Sequence, residues 1–375
     1  MSARLTDGDI CNLPKTDLHR HVDGAIKPEL LFRLANELGV KLPTDNLAEF
    51  KKLYQIVEAG MSVPEILQRF CWAIAVMRTP EGLFKVFRQQ IHDLKHENIL
   101  YAELRFAPGY CGKYKPSWYK PEMYEEKPFP GMSLGHAVRC ALAGIEQGMR
   151  ETGITVNLIL CIDRESLFPP KGHGPQSVIA IRDLGLRFQR DVVGLDLACN
   201  ETLYPPDPYI PYFLPLLGSN LGCSPHAGEM GEKKQKKKNI VTCIKEIDAR
   251  IKKRLGHAID LWESEEQMGV CREQNIGIER VPCTPMPGCK LEDGHLDVLL
   301  EHKVPVAIVS DDPVLMQKSL TDNWLAVRDY HDFGVEEFWQ LTANAVNTGF
   351  YRNEDQKKMV RDMFVKRGLS RSLLR

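Results

Sequence analysis

The sequence predicts an α/β fold of the (β/α)8 TIM-type barrel, with extra helices inserted after the first strand. Eight short apolar runs alternate with helical patterns along the whole chain, which is the spacing of βα units. Most of these runs are continuously apolar, as expected for strands covered on both faces. A length of 375 residues with 43% hydrophobic residues suffices for one large core. We therefore expect residues 1–375 to form a single barrel domain.

The strand candidates set the framework, and the segments between them are mostly helical. After the first strand, Pro28 begins a helix that runs to about Leu38, and helical periodicity covers roughly residues 46–97. The Pro-rich stretch 111–130 directly follows a strand, so we interpret it as a long loop on the catalytic face. The predicted strands are residues 17–24, 99–106, 155–163, 192–200, 223–229, 254–260, 276–283 and 305–312.

Composition limits the class of protein. The formal charge is -1 and the pI is about 6.8, so no overall field favours nucleic acid or a membrane surface as a partner. The eleven cysteines form no C-x-x-C pair, which is typical of reduced thiols. The N-terminal residues lack an apolar signal core and no run reaches membrane length, so we expect a cytoplasmic protein.

One block of like charge stands out, the lysines of residues 233–238. Such a block is usually a solvated helix start or loop. It follows a strand with chemically reactive residues, so a second interpretation is contact with a phosphate on a substrate.

The first strand carries two histidines one residue apart, His19 and His21. Alternate residues of a strand point to the same face, so both imidazoles project side by side while Arg20 turns away. Two neutral imidazoles suit a borderline metal such as zinc but leave its coordination incomplete. An isolated His-x-His motif is more often a pair of surface histidines, so the interpretation depends on the later motifs.

A third histidine and a carboxylic acid end the fifth predicted strand. His226 and Glu229 are three residues apart and would face opposite ways in a regular strand, but Gly228 permits a turn that brings both into one site. Taken alone, His226 is compatible with a core histidine and Glu229 with a helix start. Their place at a strand's C-terminal end favours a catalytic role.

Two further strand ends complete the set. His257 ends the sixth strand, where it suits a base or an electrostatic stabiliser of attacking hydroxide. Asp311 and Asp312 end the eighth strand, and adjacent buried acids need charged or hydrogen-bonding partners. They point different ways, so we expect one to bind metal and the other to meet substrate; an N-cap role for Asp312 before Pro313 explains only one of the pair. Together these residues indicate metal-assisted hydrolysis at an electrophilic carbon.

The sequence resembles the adenosine deaminases, in the adenosine/AMP deaminase branch of the metal-dependent amidohydrolase superfamily. The resemblance spans most of the chain and follows the family order. It rests on the motifs DLHRHVDGAIKPE, AELRFAP, VVGLDLACNE, HAGE, RLGH, VSDDP and NAVNTGF.

The resemblance implies a role for each of the reactive residues in these motifs. Glu229 would protonate N1 of the purine, His257 would orient or deprotonate the attacking water, and Asp312 would hold N7. One Zn2+ per chain would be bound by His19, His21, His226 and Asp311, the last also hydrogen-bonding the water. Attack at C6 then expels ammonia and leaves inosine, a reaction of purine salvage.

The resemblance also implies a substrate pocket. Asp23 would meet the 5′-hydroxyl of the ribose, His21 would face the substrate as well as the metal, and Leu67 and Phe70 would line its apolar part. Cys199 stands where the family usually has a glycine that contacts purine N3, so its side chain would narrow or shift the base. Ala258 replaces another usual glycine, and the turn at residues 282–286 departs from the family's CPTSN.

Three functions remain open from the sequence. The first is deamination of adenosine and 2′-deoxyadenosine, which Asp23 favours because a carboxylate beside the 5′ position repels phosphate. The second is deamination of a related purine: adenine, AMP or N6-methyl-AMP. The third is a non-catalytic binding protein on the same fold, which the intact set of reactive residues disfavours. The oligomeric state is left open.

Overall fold

The structure, a computed structural model, describes residues 4–55, 61, 63–127, 129–170, 172–283 and 291–374. Its strands fall where the sequence predicts them, with the fifth strand divided in two. The strands are β1 Lys15–His21, β2 Ile99–Phe106, β3 Thr155–Asp163, β4 Val192–Ala198, β5 Gly222–Cys223, β6 His226–Ala227, β7 Arg254–His257, β8 Gly277–Arg280 and β9 Val306–Ile308.

All strand pairs are parallel and follow chain order. One sheet runs from β1 to β5 and the other from β6 to β9. A parallel bridge between Cys223 and Lys253 joins the sheets at one edge, and a bridge between Arg20 and Asp311 joins them at the other. The amide of Asp311 donates to the His19 carbonyl at 2.8 Å there. The predicted fold class is thus confirmed.

Several strands end before their predicted bounds, and two of these differences have a local cause. The fifth strand breaks at Pro225, which has no N–H to donate to a ladder. The last strand ends at Ile308 rather than residue 312, and Asp311 has the positive φ of 61°. In both places the chain leaves regular strand geometry beside reactive side chains.

The helices pack outside the strands, and α2 to α5 form the predicted insertion between β1 and β2. Helix α2 begins at Pro28, where the missing N–H costs nothing, and ends before Gly39 at a φ of 69°. The helices are α1 Asp7–Asn12, α2 Pro28–Leu38, α3 Leu47–Tyr54, α4 Val63–Met77, α5 Pro80–His96, α6 Pro121–Tyr124, α7 Leu134–Thr152, α8 Pro175–Arg187, α9 Ile210–Phe213, α10 Lys233–Glu246, α11 Glu265–Glu273, α12 Leu296–Glu301, α13 Leu320–His331, α14 Val335–Thr348 and α15 Glu354–Val365.

The strands form the centre of the core. Every residue of β2, β3 and β4 is buried, which agrees with their continuous apolar sequences. The charged residues on these strands are therefore inside the protein, where each needs a partner. The ten cysteines within the described residues are free thiols, and none of the helices described has the length and apolarity needed to cross a membrane.

Candidate active site

Three histidines meet at the C-terminal ends of the strands. The Nε2 atoms of His19, His21 and His226 lie 3.1–3.2 Å from one another. His19 and His21 come from alternate positions of β1, as the sequence predicts, and His226 begins β6. The three ring nitrogens meet at one point although His226 is more than 200 residues away from His19 and His21 in the sequence.

Carboxylates behind two of these rings fix their tautomers. Nδ1 of His19 lies 2.6 Å from Glu279, and Nδ1 of His226 lies 2.9 Å from Asp196. An ionised carboxylate accepts only, so each Nδ1 carries the proton and donates it. The Nε2 lone pairs of both rings are therefore free to bind a metal ion, in the arrangement of carboxylate–histidine–metal sites.

Asp311 supplies a carboxylate oxygen to the same point. Its Oδ1 lies 3.3 Å from Nε2 of His19 and 3.5 Å from Nε2 of His21. Tetrahedral zinc with bond lengths of 2.0–2.1 Å places its ligand atoms about 3.3 Å apart. The distances of 3.1–3.2 Å among the three nitrogens, and of 3.3 and 3.5 Å from Asp311 to His19 and His21, fit that ion. The mixed nitrogen and oxygen donors also suit it chemically.

His257 lies beside this cluster and forms an alternative ligand group. One ligand atom from each of His19, His226, His257 and Asp311 lies within 4.8 Å of the others. We favour His21 over His257 as a ligand because the Nε2 of His21 is only 3.1–3.2 Å from its neighbours. Nε2 of His257 is buried and has no hydrogen-bond partner among the described residues, which leaves it available to a bound molecule.

Glu229 reaches the site through the predicted turn. Gly228 has a φ of 75°, and a Cβ there would lie 2.5 Å from Ile240. The carboxylate of Glu201 accepts from the amides of Gly228, Glu229 and Met230 at 2.6–3.2 Å, which holds the turn in place. Burial raises the pKa of Glu229 to about 8, so this side chain can carry a proton near neutral pH.

Asp312 follows Asp311 beyond the end of the last strand, so strand alternation does not decide where its side chain points. Its Oδ1 is buried and has no hydrogen-bond partner in the part of the chain that the structure describes. Burial raises its pKa well above the usual value, and the charges of Asp311 and Asp23 add to the effect. A Cβ on Gly24 would lie 1.7 Å from this oxygen, so only glycine at position 24 leaves room for Asp312.

A pocket opens above these groups and contains most of the predicted substrate residues. Asp23, Leu67, Phe70 and Cys199 all line it. The stretch 111–130 contributes Trp118, in agreement with its interpretation as a loop on the catalytic face. The described lining residues include no lysine or arginine but five acids: Asp23, Asp163, Glu229, Asp311 and Asp312.

The departures from the family pattern fall at the pocket wall. Cys199 has a φ of 78°, a conformation that favours glycine, and its Sγ lies 3.2 Å from the hydroxyl of Tyr110. Ala258 also has a positive φ, of 45°. The predicted effect of the altered turn falls largely on residues 284–286, which lie outside the described residues.

The lysines of residues 233–238 lie at the start of α10 and outside the pocket lining. Lys236 pairs with Asp260 at 3.1 Å, and Lys238 pairs with Asp207 at 3.1 Å. Lys237 lies 2.5 Å from Glu263. This agrees with the interpretation as a solvated helix start and gives no support to a phosphate contact.

Sequence reasoning missed the charged residues that support the histidines. Arg105 pairs with Asp196 at 3.2 Å and with Glu279 at 3.1 Å, linking the partners of His226 and His19. Burial opposes the charge on Glu279, but Arg105, Arg254 and His19 outweigh it and hold the pKa of Glu279 well below its usual value. A charged residue within an apolar strand was the available signal for each of them.

A parallel barrel with three imidazoles and a carboxylate at its strand ends defines a metal-dependent hydrolase of the amidohydrolase type. The chain belongs to the adenosine deaminase family, since the family model described as adenosine deaminase matches residues 14–366.

Relatives named as deaminases match nearly the whole chain. The adenosine deaminase of Clostridium acetobutylicum is 28% identical over 358 residues, which is 94% of this chain and 98% of the relative. The adenine deaminase of Vibrio parahaemolyticus is 26% identical over 348 residues, which is 92% of this chain and 93% of the relative. Relatives with similar sequence identity to this chain are thus named for different substrates.

Solved structures confirm the fold. An adenine deaminase from Arthrobacter aurescens has a TM-score of 0.76 at 20% identity and covers 94% of this chain and 98% of its own. An amidohydrolase from Burkholderia ambifaria with bound zinc has a TM-score of 0.76 at 19% identity, with 98% and 94% covered. The N6-methyl-AMP deaminase of Arabidopsis thaliana has a TM-score of 0.74 at 21% identity, with 96% and 98% covered.

Proposed function

We propose that this protein is a zinc-dependent deaminase that hydrolyses adenosine, and 2′-deoxyadenosine, to inosine or its 2′-deoxy form and ammonia. The observation that carries the proposal is the composition of one pocket. It combines the converging histidines and Asp311 with two further acids, Glu229 and Asp312, and no described cationic side chain lines it.

The donor set supports one zinc ion per chain, held by His19, His21, His226 and Asp311. Zinc bound there would lower the pKa of water toward neutrality and so supply a hydroxide nucleophile. Binding such an ion also joins β1, β6 and the end of the last strand, so we expect it to stabilise the fold.

The chain's own residues divide the proton transfers. Glu229 donates its proton to purine N1, which makes C6 more electrophilic as water attacks. The unpaired Nε2 of His257 accepts a hydrogen bond or a proton from that water. Its ring lies 3.7 Å from Glu229, so donor and acceptor flank the same reacting carbon. Proton return to the amino group lets ammonia leave.

The remaining pocket residues hold the substrate. Burial raises the pKa of Asp312 well above its usual value, which favours the protonated acid; this acid can donate to N7, an acceptor, through the oxygen that has no partner in the described protein. Leu67 and Phe70 contact the apolar faces of the base and sugar. Asp23 accepts from the 5′-hydroxyl of the ribose.

The charge of the pocket favours a nucleoside over a nucleotide. A phosphate placed near Asp23 would meet that carboxylate, and the described lining of the pocket includes none of the arginines or lysines that usually bind phosphate. Repulsion between like charges in a partly desolvated pocket weakens such binding strongly. We therefore place adenosine ahead of AMP and N6-methyl-AMP.

The test is ammonia release by the purified protein. Adenosine, 2′-deoxyadenosine, adenine, AMP and N6-methyl-AMP are compared by kcat/KM, before chelation, after chelation and after zinc is restored. We expect the two nucleosides to be the best substrates and activity to return with zinc. Higher kcat/KM for AMP or adenine would contradict the substrate, and full activity of metal-free protein would contradict the metal.

A further inference from the structure

We propose that Cys199, Tyr110 and Asp163 form a wall that determines specificity at purine C2, admitting a hydrogen there and excluding an amino or oxo group. This inference rests on the proposed function, because it takes the placement of the base from Glu229 and Asp312. All three residues line the substrate pocket.

The order of the strands places this wall against the base. Going around the barrel from Glu229 after β6, one direction passes His257 at the end of β7 and reaches Asp312 after β9. The other direction passes Cys199 after β4, Asp163 at the end of β3 and Tyr110 after β2.

The perimeter of a purine follows the same order. With N1 at Glu229 and N7 at Asp312, the atoms C6 and C5 lie between them on the side of His257. The other way around the ring leads from N1 to C2 and N3. This edge therefore faces Cys199 first and Asp163 next.

The side chains of the wall are already hydrogen-bonded to one another or to the neighbouring backbone. The hydroxyl of Tyr110 donates to Asp163 Oδ2 at 3.0 Å and lies 3.2 Å from Cys199 Sγ. The other oxygen of Asp163 accepts from the amide of Glu165 at 2.9 Å. A 2-amino or 2-oxo group would be buried against groups that are already paired, which is unfavourable.

The side chain of Cys199 adds a steric barrier. Its backbone has a φ of 78°, where a Cβ is strained, yet the residue is not glycine. A glycine there would relieve the strain and open space beside the C2–N3 edge. The thiol therefore provides selectivity at the cost of backbone strain.

The experiment compares adenosine with 2-aminoadenosine by kcat/KM. For the wild type we expect a ratio of about ten- to hundredfold in favour of adenosine, which corresponds to leaving one buried polar group unpaired. Cys199→Gly should narrow the ratio about tenfold, and Tyr110→Phe should narrow it by freeing an oxygen of Asp163. Cys199→Ser keeps a Cβ and a hydrogen-bonding group of similar though smaller size, so it should keep most of the ratio. Cys140→Ala, a cysteine outside the pocket, is the matched control and should also keep it.

Binding of the products gives a second measurement. Inosine and guanosine differ only by the 2-amino group, so calorimetric Kd values should show the same preference and the same response to Cys199→Gly. This arm separates the two proposals, since failure to deaminate adenosine would contradict the proposed function without removing the binding ratio. The proposed role of the wall would be contradicted by either of two results. One is equal kcat/KM and Kd values for the 2-amino and 2-hydrogen compounds in the wild type, and the other is an unchanged ratio in a folded Cys199→Gly variant.

Discussion

The barrel interior holds buried ionisable side chains in two regions: an upper part at the C-terminal ends of the strands, and a lower part beneath it. The two parts differ in whether the polar atoms of those side chains have partners. In the lower part, both oxygens of Glu103 and Glu279 are bonded: Arg254 contacts both carboxylates, and the hydroxyl of Tyr101 donates to Glu103 at 2.7 Å. In the upper part, His257 Nε2 and Asp312 Oδ1 find no partner among the described residues. A paired buried charge supports the fold, whereas an unpaired one beside a pocket indicates a ligand.

The largest expected effect comes from breaking the upper cluster. His226→Ala removes one of three converging nitrogens, so we expect loss of bound metal, a lower Tm and a fall in kcat of about 10³-fold or more, since metal catalysis is worth several kcal/mol. Metal analysis, thermal unfolding and ammonia release measure these three effects. His136→Ala on α7, outside the pocket, serves as control. An active His226→Ala variant with its metal retained would contradict the ligand assignment.

The next effect separates the proton donor from the metal. Glu229→Gln keeps the shape of the side chain but removes the proton needed at N1, so we expect kcat to fall about 10²–10⁴-fold with metal content unchanged. Steady-state kinetics and metal analysis are read on the same preparation. Glu232→Gln, an exposed neighbour, should behave as wild type. Near-normal turnover of Glu229→Gln would assign that residue a structural role.

A third pair of variants tests the boundary between the two parts. Glu279→Gln weakens the carboxylate behind His19, so we expect metal affinity to fall about 10–100-fold. Glu103→Gln removes the ion pair between Glu103 and Arg254. It should therefore lower the free energy of unfolding by about 3–5 kcal/mol.

Denaturant unfolding and metal titration of both proteins separate these effects. In folded Glu103→Gln protein, metal affinity should match the wild type, because Glu103 touches none of the three histidines. If both variants lose metal affinity equally, the upper and lower parts act as one unit and the distinction fails.

The smallest effect concerns the partly buried Asp23. Asp23→Asn should lower kcat/KM for adenosine by about tenfold, as a charged hydrogen bond to the 5′-hydroxyl is weakened. It should also relax the exclusion of AMP, because the charge facing the phosphate is gone. Assays with adenosine, AMP and 5′-deoxyadenosine on both proteins measure this. If the wild type already prefers AMP, the role given to Asp23 is wrong.

The sequence alone was sufficient to predict the upper cluster because local rules determine it. Strand alternation placed His19 beside His21, and glycine at position 228 allowed the turn that carries Glu229. The strand-end rule for barrels then brought His226 and Asp311 to the same level. The roles of these residues stay predictions until the variants are measured.

The lower network and the contacts that Cys199 makes with its neighbours could not be predicted from the sequence. Their contacts join residues of distant strands, such as Arg254 with Glu103 and Tyr110 with Cys199. No spacing rule gives such pairs, since they depend on which strands become neighbours around the closed barrel and on how side chains pack there. Burial of a charge signals that a partner exists without saying which one it is.

The contact between Gly24 and Asp312 restricts how this protein can change over evolutionary time. A Cβ at position 24 would lie 1.7 Å from Oδ1 of Asp312, so any side chain there would occupy the space of the Asp312 carboxylate. A single substitution there must displace Asp312 before any other residue can compensate. Position 24 is therefore open to a larger residue only after residue 312 has changed, and a lineage that enlarges residue 24 first would pass through a protein with a displaced Asp312.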